Sequence, residues 1–205
     1  GNYRMAHYTA FITGLLDALG VQQVVLVGNS LGGQIAWETA LAYPQRVSKL
    51  ILVDAAGFPL NSTSVPIGFQ IARMPALATL MSKVLPRPMI ESSLRNVYGN
   101  PDLVTPQLIE RYYELSLRAG NRAALIQRFS QRDDPTLNQA RISQLSVPTL
   151  ILWGGRDRLI PPANAELFRA AIQGSQLQMF DMLGHVPQEE DPASTVAAVE
   201  AFLSQ

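Results

Sequence analysis

A short apolar strand that runs into a glycine-flanked serine constrains this chain more than any other stretch. Residues 24–33 read VVLVGNSLGG, in which four apolar residues precede Gly28, Ser30 and Gly32. An apolar run bounded by turn-forming residues predicts a strand buried on both faces, and the G-x-S-x-G spacing predicts a sharp turn into a helix. We expect a strained backbone at Ser30, and a collision with the neighbouring strand or helix if either glycine carried a side chain.

Other glycine-rich turns have different requirements. A phosphate-binding P-loop needs a Lys-Ser/Thr pair after its glycines, which is absent here, and a dinucleotide-binding turn needs a glycine where Ser30 stands. A turn that only joins a strand to a helix satisfies the same five-residue pattern. Residues 24–33 alone therefore allow two interpretations, a nucleophilic serine or a turn with only a structural role.

The composition of the chain limits the kinds of partner that it is expected to bind. The chain has 205 residues, 47% of them hydrophobic, which fits one globular domain with an insertion. Its 16 basic and 16 acidic residues cancel without forming a basic block, so we expect no nucleic-acid partner. No apolar run is long enough for a membrane span. The absence of cysteine excludes disulfides, thiolate metal sites and a cysteine nucleophile, and leaves the redox compartment open.

Apolar strands alternate with helical patterns on both sides of a proline-rich middle segment. We predict an α/β fold with a mostly parallel sheet, its core formed by residues 1–58 and 146–205 and a helical cap insertion over residues 59–145. The predicted strands cover residues 24–27, 49–53, 149–153 and 177–180.

Helices are predicted where apolar residues recur at helical spacing. Residues 3–19 carry such a stripe, formed by Tyr8, Phe11, Ile12, Leu15, Leu16 and Leu19, and Gly20 closes it. Further helices follow the serine turn as far as Pro44 and cover residues 161–172, with Gly174 as the stop. The last helix has Asp191 as its N-cap and is expected to bury Val196, Val199, Phe202 and Leu203.

Candidate catalytic residues follow the predicted strands. In a parallel α/β sheet, sites form at the carboxyl ends of the strands, where Ser30, Asp54, Asp157 and His185 fall. A catalytic serine needs a base, and the base needs a partner that fixes its tautomer. Of the two histidines, His7 lies on the first helix, where a solvated or capping role is expected. His185 is therefore the candidate base.

Two aspartates compete for the third role. Asp54 could simply cap the turn after its strand, and Asp157 could simply pair with a neighbouring arginine. The chain order Ser30, Asp157, His185 matches the Ser, Asp, His order of one triad class, and on that ground we favour Asp157.

Three motifs together resemble the α/β-hydrolase superfamily. They are GNSLGG at residues 28–33, WGGRD at 153–157, and GHVP at 184–187 followed by EEDP at 189–192. A further stretch, LVDAAG at 52–57, resembles the strand end before the helical cap in esterase and C–C-bond-hydrolase branches. The resemblance implies that Ser30 is the nucleophile, that His185 is the base and then the acid, and that Asp157 orients His185. It implies an oxyanion hole at the N–H of Leu31, with Gly28, Asn29 and Gly32 shaping the elbow. A serine at this position argues against a dehalogenase or an epoxide hydrolase.

The chain departs from the family pattern at its start. The family takes a second oxyanion donor from a loop after an earlier strand, and nothing before Gly28 supplies that loop. By resemblance the early strands are missing, which would leave residues 24–27 at a sheet edge with unpaired backbone groups. We expect either a fragment of a longer hydrolase or a homodimer that closes this edge.

The resemblance implies hydrolysis of a carboxylic ester through an acyl-enzyme. No His/Asp/Glu cluster in the sequence has the spacing of metal ligands, so we expect no metal and no organic cofactor. We expect a carboxylesterase for small apolar acyl or aryl esters. A C–C-bond hydrolase of the meta-cleavage type is the alternative, although aromatic residues usually follow its histidine where this chain has Val186-Pro187-Gln188. A non-catalytic protein that binds a ligand or partner is a further alternative. Apolar insertion side chains that could roof a pocket are Phe58, Phe69, Ile71, Met74, Leu77, Leu80, Met81, Tyr112 and Tyr113.

Overall fold

A parallel sheet forms the centre of the molecule. The computed structural model describes residues 1–74, 77, 83–131 and 139–205. Within them, the strands β1 (Val24–Asn29), β2 (Val47–Val53), β3 (Thr149–Gly154) and β4 (Gln176–Phe180) pair in the order β1-β2-β3-β4. The predicted α/β class is confirmed, and each predicted strand is present. The second strand begins earlier than predicted, at Val47.

Helices surround this sheet and form the described part of the segment between β2 and β3. They are α1 (Met5–Ala18), α2 (Leu31–Ala42), α3 (Ile67–Ala72), α4 (Arg87–Val97), α5 (Pro106–Leu117), α6 (Asn121–Ser130), α7 (Ala163–Ala171), α8 (Pro187–Glu190) and α9 (Pro192–Leu203). Short 3₁₀ turns occur at Pro44–Arg46, Pro101–Leu103 and Ile142–Gln144. None of the helices in these described ranges is long and apolar enough to cross a membrane.

Each face of the sheet carries its own apolar layer, because successive strand residues point to opposite sides. Leu50 and Leu52 of β2 pack in a cluster with Trp37 of α2 and Phe168 of α7. The alternate residues of the same strand pack with Phe202 of α9 on the other face. The sheet is therefore sandwiched between helices, and its carboxyl edge stays open to the loops that carry the candidate residues.

The first strand is less buried than the sequence predicted. Val25 and Val27 are exposed, Val27 by 57%, so the expectation of a strand buried on both faces is wrong for β1. The reason is its position at the edge of the described sheet, where β2 is its only neighbour and α9 does not reach the face that these valines occupy. The described sheet thus agrees with the edge position that the family resemblance implied for residues 24–27, whereas the apolar run alone predicts a buried strand.

Burial on the outer helices also differs from the predicted pattern. The first helix buries Met5, Thr9, Thr13 and Leu16 and exposes three residues of the predicted apolar stripe, Phe11, Leu15 and Leu19. In α9, Val196 and Leu203 are exposed and Thr195 is buried. Leu16 and Phe202 are buried as predicted, so periodicity located both helices and only part of the face that each one buries.

Helix ends are set by the local signals read from the sequence. Gly20 has φ 67° and follows α1, where the N–H of Val21 donates to Leu16 O at 2.9 Å, as in a Schellman cap. Asp191 caps α9 by accepting the N–H of Ser194 at 3.1 Å. Gly174, with φ 75°, lies in the turn that follows α7 and leads to β4. These predictions are confirmed.

Candidate functional site

The serine elbow joins β1 to α2 at the carboxyl edge of the sheet. Ser30 has φ 57° and ψ −120°, a conformation that is strained for a residue with a Cβ atom. Two backbone hydrogen bonds hold it there: the N–H of Ser30 donates to Val53 O, and the N–H of Ala56 donates to Ser30 O, both at 3.0 Å. The end of β2 thus fixes the position of the serine.

Only one of the two predicted glycine constraints in the elbow is present. A Cβ atom at Gly28 would overlap the carbonyl group of Gly32, so this position requires glycine. A Cβ atom at Gly32 would meet nothing within 4 Å, and the prediction of a collision there is wrong. The crowded position is Gly33, whose Cβ atom would lie 2.5 Å from the Cβ atom of Ala55. The first turn of α2 presents Gly32 to open space and Gly33 to the loop after β2.

His185 and Asp157 are joined in a buried pair. The Nδ1 atom of His185 lies 2.7 Å from Oδ2 of Asp157, and the two residues are 5% and 3% exposed. The other oxygen of Asp157, Oδ1, accepts the backbone N–H groups of Leu159 at 2.8 Å and Ile160 at 3.0 Å. The aspartate is therefore fixed by its own loop, and it binds the histidine through the remaining oxygen. Within the described ranges, Asp157 forms no ion pair with a neighbouring arginine.

The histidine loop, residues 181–186 between β4 and α8, is tied to both the elbow and the insertion. The side-chain amide of Asn29, the residue before Ser30, donates to His185 O at 2.9 Å and to Val53 O at 3.1 Å. The N–H of His185 donates to Val97 O at the end of α4, at 2.8 Å. Asn29 thus holds the serine and histidine segments side by side. The other histidine, His7, is exposed on α1, as expected for a solvated side chain.

Two glutamates secure this loop, and the sequence analysis assigned neither a role. Glu190 accepts the N–H groups of Gly184 at 2.7 Å and Gly99 at 2.8 Å, and burial raises the pKa of its carboxyl. Glu189 accepts the hydroxyls of Tyr98 and Tyr112. Burial and the Glu189 charge raise the pKa of both tyrosines. The only sequence signal for these contacts was the EEDP segment after the histidine.

Asp54, the competing aspartate, lies inside the same cluster. It is fully buried with φ 42°, and its Oδ1 atom accepts the N–H of Gly154 at 3.0 Å. Burial, and after it the neighbouring Asp157 charge, raise the pKa of Asp54 well above its usual range. Side-chain atoms of Asp54, Asp157 and His185 lie within 4.8 Å of one another, a spacing also compatible with a metal ion. We assign the group to hydrogen bonding, because His185 and Asp157 contact each other directly.

An apolar cavity of about 280 Å³ lies among the helices of the insertion. Val97, whose carbonyl accepts the N–H of His185, contributes to its wall, as does Tyr112, whose hydroxyl donates to Glu189 of α8. Ser30, Asp157 and His185 do not line the cavity. Of the predicted roof residues, Phe69 and Tyr112 line it. Phe58 packs instead against Phe168 in the core, Met74 and Leu77 are exposed, and Leu80 and Met81 lie outside the described residues.

Comparison with known proteins gives a consistent result. The profile of the alpha/beta hydrolase fold family matches residues 1–192. The chain is 31% identical over 215 aligned residues to a 2-hydroxymuconate semialdehyde hydrolase of Pseudomonas putida, covering 100% of this chain and 71% of that protein. It is also 31% identical to an uncharacterized protein of Mycobacterium tuberculosis, and it spans 62% of that protein's length.

Solved structures of similar proteins include two kinds of hydrolase. A meta-cleavage product hydrolase of Pseudomonas fluorescens superposes with a TM-score of 0.84 at 26% identity, covering 100% of this chain and 73% of that one. An esterase of Thermogutta terrifontis superposes with a TM-score of 0.78 at 28% identity, with the same coverage. The whole chain is therefore covered both by a meta-cleavage product hydrolase and by an esterase.

Proposed function

This chain belongs to the alpha/beta hydrolase fold family, and we propose that it is a serine hydrolase with Ser30 as nucleophile, His185 as base and Asp157 as the carboxylate that orients His185. One observation carries the proposal. Asn29, next to Ser30 in the chain, donates to the backbone of His185, whose ring binds Asp157. The three side chains therefore come from adjoining loops at one edge of the sheet.

The proposed reaction is the hydrolysis of a carboxylic ester. Because Nδ1 of His185 is bound to Asp157, Nε2 is the nitrogen that accepts the Ser30 proton as Oγ bonds to the substrate carbonyl carbon. His185 returns this proton to the leaving alcohol as the ester bond breaks, which gives an acyl-enzyme. A water molecule, deprotonated by His185, then releases the acid and restores Ser30.

We place the N–H of Leu31 in the oxyanion hole. Leu31 is the first residue of α2, and the first N–H groups of a helix have no acceptor within the helix. The side chain of Ser30 does not cap α2, so it remains available as the nucleophile. Gly28, Asn29 and Gly32 belong to the same elbow: Gly28 permits its close turn, and Asn29 links it to the histidine loop.

Small apolar acyl or aryl esters are the proposed substrates. The cavity in the insertion is walled largely by apolar side chains of α3, α4, α5 and α6, one of which, Val97, also accepts the N–H of His185 through its carbonyl. An apolar group transferred from water into such a cavity gains roughly 25 cal/mol for each Å² that it buries. We expect ester turnover to rise with acyl length until this volume is filled.

Hydrolysis of a C–C bond in a meta-cleavage product is the second candidate. The semialdehyde hydrolase of Pseudomonas putida and the meta-cleavage product hydrolase of Pseudomonas fluorescens support it. The two reactions are separated by comparing turnover of p-nitrophenyl butyrate with that of 2-hydroxymuconate semialdehyde. We expect the ester to be the better substrate; turnover of the semialdehyde alone would select the second candidate.

A fluorophosphonate tests the site without requiring turnover, since it phosphonylates an activated serine. We expect one adduct by intact mass on the wild-type chain and none on Ser30→Ala. An unlabelled wild-type chain would contradict the proposed triad and favour a non-catalytic role as a binding protein. Loss of the adduct in Asp54→Asn with retention in Asp157→Asn would exchange the roles of the two aspartates.

The exposed edge of β1 is the proposed contact for a homodimer. Within the described sheet β1 pairs only with β2, so its other edge can pair with another chain, and Val25 and Val27 lie exposed on one face beside that edge. Light scattering coupled to size-exclusion chromatography tests this pairing, with Val27→Lys as the disrupting variant. A monodisperse wild-type monomer at micromolar concentration would contradict it.

A further inference from the structure

Asp54 is a buried acid with too few hydrogen-bond partners for a charged carboxylate. It is 0% exposed, its Oδ1 atom accepts one N–H from Gly154, and its Oδ2 atom has no hydrogen-bond donor among the described residues. An unpaired ionised carboxylate in a protein interior is costly, and such a group is commonly neutral instead. The orphaned oxygen is therefore the natural place for a proton.

The neighbours of Asp54 favour the same location for the proton. Asp157 receives three N–H groups, from Leu159, Ile160 and His185, whereas Asp54 receives one. Two neighbouring buried carboxyls do not both ionise readily, and the one with more donors keeps the charge. A carboxylate offers about four acceptor positions, so Asp157 retains one that is unused.

We propose that Asp54 is a positioning residue for the hydrolytic site: its protonated Oδ2 donates a hydrogen bond to the Asp157 carboxylate and fixes that carboxylate against His185. The inference rests on the proposed roles of Asp157 and His185. Asp157 and Glu190 are the charged groups that act on Asp54, and their negative charges, after burial itself, raise its pKa. His185 is the other titratable group in the cluster.

Asparagine at this position separates the proposal from its alternatives. The amide of Asp54→Asn accepts the Gly154 N–H through its oxygen and donates to Asp157 through its nitrogen, so it reproduces the protonated acid. If Asp54 were ionised, the same substitution would remove a negative charge beside His185. Asp54→Leu fills a similar volume and removes the donor.

Infrared difference spectroscopy tests the proton directly. At pH 7, we expect the wild-type protein to show the carbonyl band of a protonated carboxylic acid, lost in Asp54→Asn and kept in the control Asp102→Asn, which changes an exposed aspartate. A wild-type spectrum without this band, or a band that survives in Asp54→Asn, would overturn the proposal. The band requires no activity, so this result is independent of whether Ser30 reacts.

The pH profile of fluorophosphonate labelling tests the positioning role. We expect the midpoint of the profile to stay unchanged in Asp54→Asn and to move to higher pH in Asp54→Leu, because Asp157 then carries a less dispersed charge beside His185. A midpoint that moves to lower pH in Asp54→Asn means that Asp54 was ionised. An unmoved midpoint in Asp54→Leu means that the residue only packs. Either result overturns the proposal. If the wild-type chain takes no label, the proposed function fails and the infrared band alone decides the state of Asp54.

Discussion

Replacing Asp54 by asparagine should stabilise the protein increasingly as the pH rises. Burial raises the pKa of Asp54 well above the value of 3.8 for a free aspartate, so the folded state keeps a proton that the unfolded state releases. For a carboxyl shifted in this direction, stability is fully present below the unfolded pKa and is lost as the pH rises toward the folded pKa. Asparagine has no such proton to lose.

The size of this change in stability is set by the one proton that the folded chain binds in excess of the unfolded chain. Where the folded chain binds one proton more than the unfolded chain, the free energy of unfolding falls by about 1.4 kcal/mol for each pH unit. The stability of Asp54→Asn relative to the wild type should therefore rise by about 1.4 kcal/mol for each pH unit over which the folded chain keeps this proton and the unfolded chain has lost it. The Gly154 contact does not contribute to this change, since asparagine keeps its acceptor.

Urea unfolding followed by tryptophan fluorescence measures this difference. Trp37 and Trp153 are fully buried and report the loss of the core. Both proteins are unfolded at pH 5, 6 and 7, with Asp102→Asn as the exposed control, and the slopes with urea are checked for equality. A stability difference that is constant with pH, or that falls as the pH rises, would refute a proton on Asp54 in the folded state.

Three further predictions concern the proposed site and the elbow. Asp157→Asn should slow fluorophosphonate labelling on the order of 10³- to 10⁴-fold, because His185 loses the partner that fixes its tautomer; a labelling rate near that of the wild type would remove Asp157 from the triad. Gly28→Ala should lower the free energy of unfolding by about 1–3 kcal/mol, because its Cβ atom overlaps the backbone, whereas Gly32→Ala should cost far less. Equal losses in urea unfolding would contradict this difference. Asn29→Ala should cost about 1–3 kcal/mol and slow labelling, since the carbonyl of His185 loses its donor; unchanged labelling would separate the elbow from the histidine loop.

Local signals in the sequence were sufficient for the main elements of the fold. The β-branched run before Gly28 predicted β1, the glycine-flanked Ser30 predicted the turn, and Asp191 before Pro192 predicted the start of α9. Each of these signals acts between residues close in the chain, through φ preferences, caps and steric limits. Such interactions are the same in any tertiary setting, so they could be read without one.

The candidate site was predictable in part for a different reason. Parallel strands bring their carboxyl ends to one edge, so the positions of Ser30, Asp54, Asp157 and His185 directly after predicted strands were sufficient to group them. It could not reveal that Asn29 holds the histidine loop or that Glu190 binds Gly184, because these contacts depend on the distance between loops remote in sequence.

The sequence by itself determined the secondary structure, the serine elbow and the group of residues from which a triad is drawn. Tertiary structure decided which apolar faces are covered: Val27 is exposed because β1 lies at an edge. It also decided that His185 binds Asp157, and that Asp54 is enclosed beside them with one oxygen that receives no donor from the described residues. Burial and pairing depend on which distant groups share a volume, and that information is absent from local spacing.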